Sequence, residues 1–320
     1  MRKDKAHRMV PVDPVTDPPY GEPDAHWAAT DDEGEVRARC SLWWRDVPSL
    51  PGQRPGLIGQ YEAESFEAGR ELLDHACDEL AARGCTTAVG PVNGDIWRGY
   101  RFVVDRGEEL PFALEPDNPD LWVEQFREAG FDELASYHSA AVRDLEQSLP
   151  RLDRLSARLA ARGIRLRHAD VSRWEEELRR LHPLIMEAFK EHLLFSPIGA
   201  DELVRLYAPV QPMLRTEFVT IAEAGDRPVG FLFGLPDRLQ AEWGGMDTAI
   251  LHVAAVAPEY ERTGLGMYMG QRAQEEARRQ GFGGLIYALM RDGDASARLS
   301  LRYRELTVIR RYAVFARYLR

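Results

Sequence analysis

Cysteine is scarce: the 320 residues hold three, Cys40, Cys77 and Cys85. So few thiols exclude a disulfide-stapled secreted scaffold. Their spacing suits no metal, so no metal site is expected, and they read as buried or incidental thiols in a reducing compartment. Basic charge is also in deficit, with 41 Lys and Arg against 52 Asp and Glu and a formal charge of −11. That balance argues against sequence-independent nucleic-acid binding, which depends on releasing phosphate counterions, and against anionic lipid surfaces. No run approaches the roughly 18 apolar residues of a membrane span. The basic residues of MRKDKAHRMV have no apolar core behind them, so no secretory signal is expected and the cytoplasm is the expected compartment.

What is present suits a packed protein: 44% of residues are hydrophobic, and the length favours two domains over one. Residues 1–25 carry Pro11, Pro14, Pro18, Pro19 and Pro23 and read as an extended or loosely docked arm. Residues 26–143 form a first domain. Strands are expected from His26, over Val36–Val47 and over Gly56–Ala63. A helix capped by Ser65 and ended by Gly84 follows, then a short strand at Cys85–Val89. The crowded stretch GPVNGDIWRGYRF, Gly90 to Phe102, has two readings. One is a turn on Asn93-Gly94 with aromatics over the core. The other is a cleft-lining loop with Asn93, Asp95 and Arg101 as polar contacts. A helix from Asp120 and a strand near Leu134–Val142 close this domain, and residues 144–162 read as a helical connector.

Residues 163–320 form the second domain. It opens with a strand at Ile164–His168 and a long helix carrying the capping box Ser172-x-x-Glu175. A shorter helix and two strands lead to the most informative stretch, Leu251–Gly270: LHVAAVAPEYERTGLGMYMG. A buried strand passes through Gly264 and Gly266 into an amphipathic helix. The free N–H groups and dipole of that helix start favour an anion. A strand at Leu285–Leu289, a helix over Asp294–Arg304 and a last strand over Val308–Leu319 are expected after it. The two domains repeat one element order, which suggests internal duplication. At the equivalent junction the first reads YEAESFEAGR, acidic and without the glycine pair.

The element order and the motif VAPEYERTGLG resemble the GNAT superfamily of acyl-CoA N-acyltransferases. The resemblance implies an α/β (α+β) fold of two GNAT-like domains, each a mixed, mostly antiparallel sheet flanked by helices. The first looks like a degenerate copy, as in tandem GNAT proteins. The superfamily signature, Gln/Arg-x-x-Gly-x-Gly/Ala, matches at Gly264 and Gly266 but has Glu261 in first place, with Arg262 beside it. The resemblance implies that backbone amides of Arg262, Thr263, Gly264, Leu265, Gly266 and Met267 hold the coenzyme pyrophosphate. It also implies that the N–H near Val256 polarises the thioester. The implied activity is acetyl-CoA-dependent N-acetylation of a small amine or amino-terminal (peptide) acceptor by direct attack. A catalytically silent acyl-CoA sensor is the alternative, and a third reading is long-acyl or aminoacyl transfer.

LHVAAVAPEYERTGLG is also similar to the equivalent strand of the arylalkylamine N-acetyltransferases. There a histidine implicated in deprotonating the amine falls at His252, and a second histidine falls at Ile250. His252 is therefore the expected base, its ordinary pKa lying near working pH. Tyr303 is the expected acid, with Tyr287 as competitor. His192, Phe195, Asn93 and Arg101 are expected at the acceptor cleft, along with Glu191 and Tyr207. A homodimer is left open.

Overall fold

The computed structural model describes residues 7–13, 22–146, 152–244, 248–294 and 306–320. The first half contains β1 (Arg8–Pro11), β2 (Ala25–Thr30), β3 (Val36–Trp43), β4 (Pro55–Ala63), α1 (Phe66–Ala82), β5 (Thr87–Gly90), β6 (Phe102–Asp105), α2 (Asp120–Glu128) and β7 (Asp132–Val142). The second begins with α3 (Leu152–Ala161), β8 (Ile164–His168), α4 (Trp174–Phe189), α5 (Ala200–Tyr207), β9 (Val219–Ala224) and β10 (Arg227–Pro236). It continues with α6 (Arg238–Glu242), β11 (Thr248–Val256), α7 (Leu265–Arg279), β12 (Gly284–Arg291) and β13 (Leu306–Tyr318).

Local chemistry explains most of these boundaries. The Ser65 hydroxyl accepts the Ala68 N–H and starts α1, whose buried stripe runs Ala68, Gly69, Leu72, Leu73, Ala76, Cys77 and Leu80. Gly84, at φ +79°, ends it. The capping box expected at Ser172 does not form. The Asp170 carboxylate accepts both the Ser172 N–H and its hydroxyl, caps a 3-10 turn over Val171–Arg173, and delays α4 to Trp174. A carboxylate is the stronger acceptor and takes the cap. Within the proline-rich arm, Arg8–Pro11 pairs with β2 as an edge strand. Short strand β6 and helix α6 were not expected, because each is too brief to show a period. The expected helix over 294–304 lies, beyond Asp294, outside the described residues.

Thirteen strands make one mixed, mostly antiparallel sheet in the order β1-β2-β3-β4-β5-β13-β7-β12-β11-β10-β9-β8, with β6 also on β13. Only β4–β5 and β11–β12 are parallel, and each of those pairs is bridged by a helix, α1 or α7. The halves thus repeat the same unit. Their last strands are exchanged: β13 pairs β5 of the first half, β7 pairs β12 of the second, and the two pair with each other from Leu306↔Val142 to Ala316↔Asp132. Ala313 and Phe315 of β13 accordingly sit in the core under α1 and α2, and Ala140, Ala141 and Val142 of β7 in the core of the second half. Residues 144–162 separate the halves in sequence but not in the sheet. Among the described residues no helix is long and apolar enough to cross a membrane.

Candidate active site

The site begins where β11 leaves β12. Their parallel pairing runs from Thr248↔Gly284 to Leu251↔Tyr287 and stops. Against β10, Phe233 pairs Val253 while Gly234 pairs Leu251, so His252 is the extra residue of a β-bulge. From there to Val256 the strand keeps β10 on one edge and, among the described residues, has no strand on the other. The Ala257 N–H donates to Val229 O (3.0 Å) on the β10 side, so by alternation the Val256 N–H faces the open edge.

The glycine junction lies at the end of this opening. Gly264 is the N-cap of α7 at φ +91°, with no side chain to occupy the amides, and a Cβ there would also meet Leu155 Cδ1 at 2.9 Å. Arg262 holds the left-handed conformation as well (φ 60°). The Thr263 hydroxyl donates to Tyr260 O (2.6 Å) and accepts the Leu265 N–H (3.3 Å), fixing the turn. The connector helix α3 supports it: Arg158 Nη2 donates to Thr263 O (2.7 Å), and Ser156 Oγ lies 3.0 Å from Tyr268 OH. Glu261 and Arg262 are exposed. A cation therefore does stand at this loop, and it comes from α3, a distant stretch of sequence that a local motif does not reach.

The equivalent junction in the first half is closed. Beyond Leu57↔Val89 the gap between β4 and β5 is filled by the chain itself: Val92 N–H donates to Ile58 O (2.9 Å) and Gln60 N–H to Asn93 Oδ1 (2.7 Å). A Cβ on Gly59 would stand 2.3 Å from Val92 O. With Ser65 capping α1, neither the strand edge nor the helix start is free for a ligand.

The same loop, released from its own half, roofs the other. A cavity of about 530 Å³ extends from the β11–β12 opening under residues 96–101, within the range of ligand pockets. Trp97 Nε1 donates to Ser196 O (2.7 Å), and its ring packs on Phe189 and Phe195. Arg98 is gripped by Asp95 and Glu202. Burial pushes the Asp95 carboxyl up, although the Arg98 guanidinium and the Trp97 N–H oppose it. Both sequence readings of this stretch hold in part: Asn93-Gly94 is a turn, and Ile96 to Arg101 line the cleft.

His252, Arg101 and His192 of the expected residues meet at this cavity, with Tyr207 and Gly266. Asn93 does not; its side chain holds the plug of the first half. Phe195 stands behind the wall, edge-on to Trp97, and Glu191 is exposed. Tyr303 lies outside the described residues. Tyr287 lines the cavity at the last paired position of β12.

Three of the seven non-glycine residues with positive φ among the described residues line this one cavity: Arg101 (72°), Leu114 (66°) and Leu289 (58°). Strained backbone of this kind persists only where surrounding contacts impose it. Here the Leu289 N–H donates to Ser139 Oγ (2.9 Å) and Arg101 Nη1 donates to Leu289 O (3.1 Å). Ser139 Oγ is 2.9 Å from Tyr312 OH, which donates to Glu115 Oε1 (2.6 Å); the same oxygen accepts from Arg310 Nε (2.7 Å). This buried network was not visible in the sequence as a set of contacts.

His252 opens onto the cavity and is half-buried, and desolvation of its ring, reinforced by the Arg101 charge, lowers its pKa to about 4, against a hydrogen bond to the Leu114 backbone that raises it. The ordinary histidine pKa expected from sequence does not survive burial. Among the described residues Nδ1 is buried without a hydrogen-bond partner; in the neutral ring that nitrogen is an acceptor lacking a donor. Because the folded value lies below the ordinary histidine value of 6.5, the unfolded chain takes up a proton first as pH falls. The contribution of His252 to stability should be complete above about pH 6.5 and lost progressively as pH falls through about 4. Titrating the His252 Cε1–H resonance should give a midpoint near 4; a midpoint at 6 or above would contradict the assigned burial.

Comparison with known proteins identifies the architecture. Residues 179–302 match the acetyltransferase (GNAT) family model. A bacterial ceramide synthase of Caulobacter vibrioides (strain NA1000 / CB15N) is 26% identical over 194 residues, 59% of this chain and 50% of that protein, so the chain spans about half the length of this curated relative. Among solved structures, a GCN5-related N-acetyltransferase from Sphaerobacter thermophilus is similar over 92% of this chain and 81% of its own (TM-score 0.51, 14% identity). A GCN5-related glucosamine N-acetyltransferase region of a fungal multi-domain GH3 β-N-acetylglucosaminidase is similar over 92% of this chain and 33% of its own (TM-score 0.52, 14% identity). At such identity the structures show a common fold. Residues 179–302 thus carry the match to the acetyltransferase (GNAT) family model, and the solved structures share the fold around them.

Proposed function

We propose that the protein is an acyl-CoA-dependent N-acyltransferase, with acetyl-CoA as the first donor to test and a small amine or amino-terminal group as acceptor. One contrast carries this reading: of two equivalent strand–helix junctions, the first is plugged by Val92 and Asn93, and the second is open along His252–Val256 and capped by Gly264. The amides from Arg262 to Met267 would hold the pyrophosphate, with Arg158 as a nearby cation, and the Val256 N–H would polarise the thioester carbonyl.

The chemistry balances with groups at the site. An amine bound against His252 supplies the donor that Nδ1 lacks, which turns its lone pair toward the thioester carbon. The C–N bond forms, the nitrogen becomes cationic and therefore acidic, and His252 takes its proton. The C–S bond breaks, and the CoA thiolate receives a proton from a tyrosine. Tyr303 holds that role by family resemblance, and Tyr287 is the tyrosine at the opening. Burial beside the Arg101 cation disfavours an ammonium ion, so the acceptor reacts as the neutral amine.

Long-acyl transfer is a second reading. It is favoured by the largely apolar, aromatic cavity and by the similarity to a protein described as a bacterial ceramide synthase. Thermal-shift measurements with acetyl-, octanoyl- and palmitoyl-CoA, followed by thiol release with an amine panel, separate these. A donor at 100 times its dissociation constant should stabilise the fold by about 2.7 kcal/mol. No stabilisation by any acyl-CoA at millimolar concentration would remove the proposed function, and stabilisation without thiol release would leave a sensor.

A further inference from the structure

Five charged side chains line the cavity: Arg291 and Asp294 are half-buried at and just beyond the end of β12, and of the other three, two are neutralised. Arg98 is shared by Asp95 and Glu202, and Glu115 is matched by Arg310. Arg101 is different. It is nine-tenths buried, lies over the Tyr100 ring at 3.8 Å and the Tyr137 ring at 4.4 Å, and spends one N–H on Leu289 O. Among the described residues no carboxylate pairs with it. Its position is also imposed, since its backbone is left-handed and its N–H donates to Pro91 O at 3.1 Å.

A buried cation without a counter-ion is costly, and the aromatic faces offset only part of that cost. The guanidinium is a planar fork whose remaining N–H groups suit the two oxygens of an oxyanion. We infer that Arg101 recognises an anionic group, a carboxylate or phosphate, on the acceptor. The acceptor is then an amine that also carries an oxyanion and an apolar body to lie against Trp97, Tyr100 and Tyr207. This rests on the proposed acyltransfer for the meaning of acceptor, but the anion subsite stands on the Arg101 geometry. The anion brings the charge that the buried guanidinium lacks, while the amine end reaches His252. A neutral amine of the same body would leave Arg101 unpaired.

The test uses matched pairs on the full-length protein: L-phenylalanine with 2-phenylethylamine, O-phosphoethanolamine with ethanolamine, and 3-phenylpropionate with its primary amide. Binding is read by calorimetry and, with acyl-CoA present, by thiol release. The expected result is a preference of about tenfold or more for the anionic member of at least one pair. The preference should collapse in Arg101→Gln, be retained only in part in Arg101→Lys, which keeps the charge but not the fork, and weaken with added salt in the wild type. Carboxylate and phosphate arms distinguish the two sources of the anion. No anionic preference in any pair, or one that survives Arg101→Gln, overturns the inference. If Arg101→Gln does not fold, the wild-type pairs and their salt dependence decide it alone. Anionic preference in binding without thiol release would keep the subsite and remove acyltransfer; thiol release with neutral amines preferred would do the reverse.

Discussion

Arg310→Met should destabilise the protein by about 3–5 kcal/mol, the usual consequence of leaving one member of a buried ion pair without the other. Arg310 and Glu115 have side chains 3% and 4% exposed. Without Arg310, the Glu115 carboxylate keeps only the Tyr312 hydroxyl and the Phe112 N–H as donors. The loss should appear as a lower urea midpoint with unchanged slope. The double variant Arg310→Met/Glu115→Leu should recover most of it, because apolar residues replace buried pairs at little cost. A midpoint unaffected by Arg310→Met would mean that the pair is hydrated and outside the core. The same network holds Ser139, and through it the Leu289 N–H at the cavity edge, so acyl transfer should weaken together with stability.

Replacing His252 with alanine should lower turnover by about 100-fold, the lower end of what a positioned general base contributes. A ring with a pKa near 4 is a weak base before attack and becomes a competent one only when the nitrogen turns cationic. In the proposed function acyl-CoA binds at the α7 junction instead, so the thermal shift produced by the donor should be unchanged in His252→Ala. Retained turnover would remove His252 from catalysis while leaving the coenzyme site intact. Loss of donor stabilisation would show instead that the bulge at His252 shapes the strand edge.

Which parts of this were legible in the sequence follows from the range of the forces involved. Ser65, Gly84 and the stripe from Gly69 to Leu80 announced α1, because capping and helical period act over a few residues. The capping box at Ser172 was misread for an equally local reason: Asp170, two residues upstream, is the better acceptor. The glycine pair marked the α7 junction, and the pattern of both halves marked the repeated unit.

By itself the sequence determined the mixed sheet, the glycine junction and His252 on the strand leading to it. Only the tertiary structure decided that the last strands are exchanged, that Val92 and Asn93 plug one half while Trp97 and Arg101 roof the other, and that Arg158 stands at the glycine junction. It also decided that desolvation depresses the His252 pKa and that its Nδ1 has no partner among the described residues. Hydrogen-bonding capacity and period belong to each residue and its near neighbours. Strand exchange, burial and counter-ion balance are set by contacts between residues more than a hundred positions apart, such as Arg98 with Glu202 and Glu115 with Arg310.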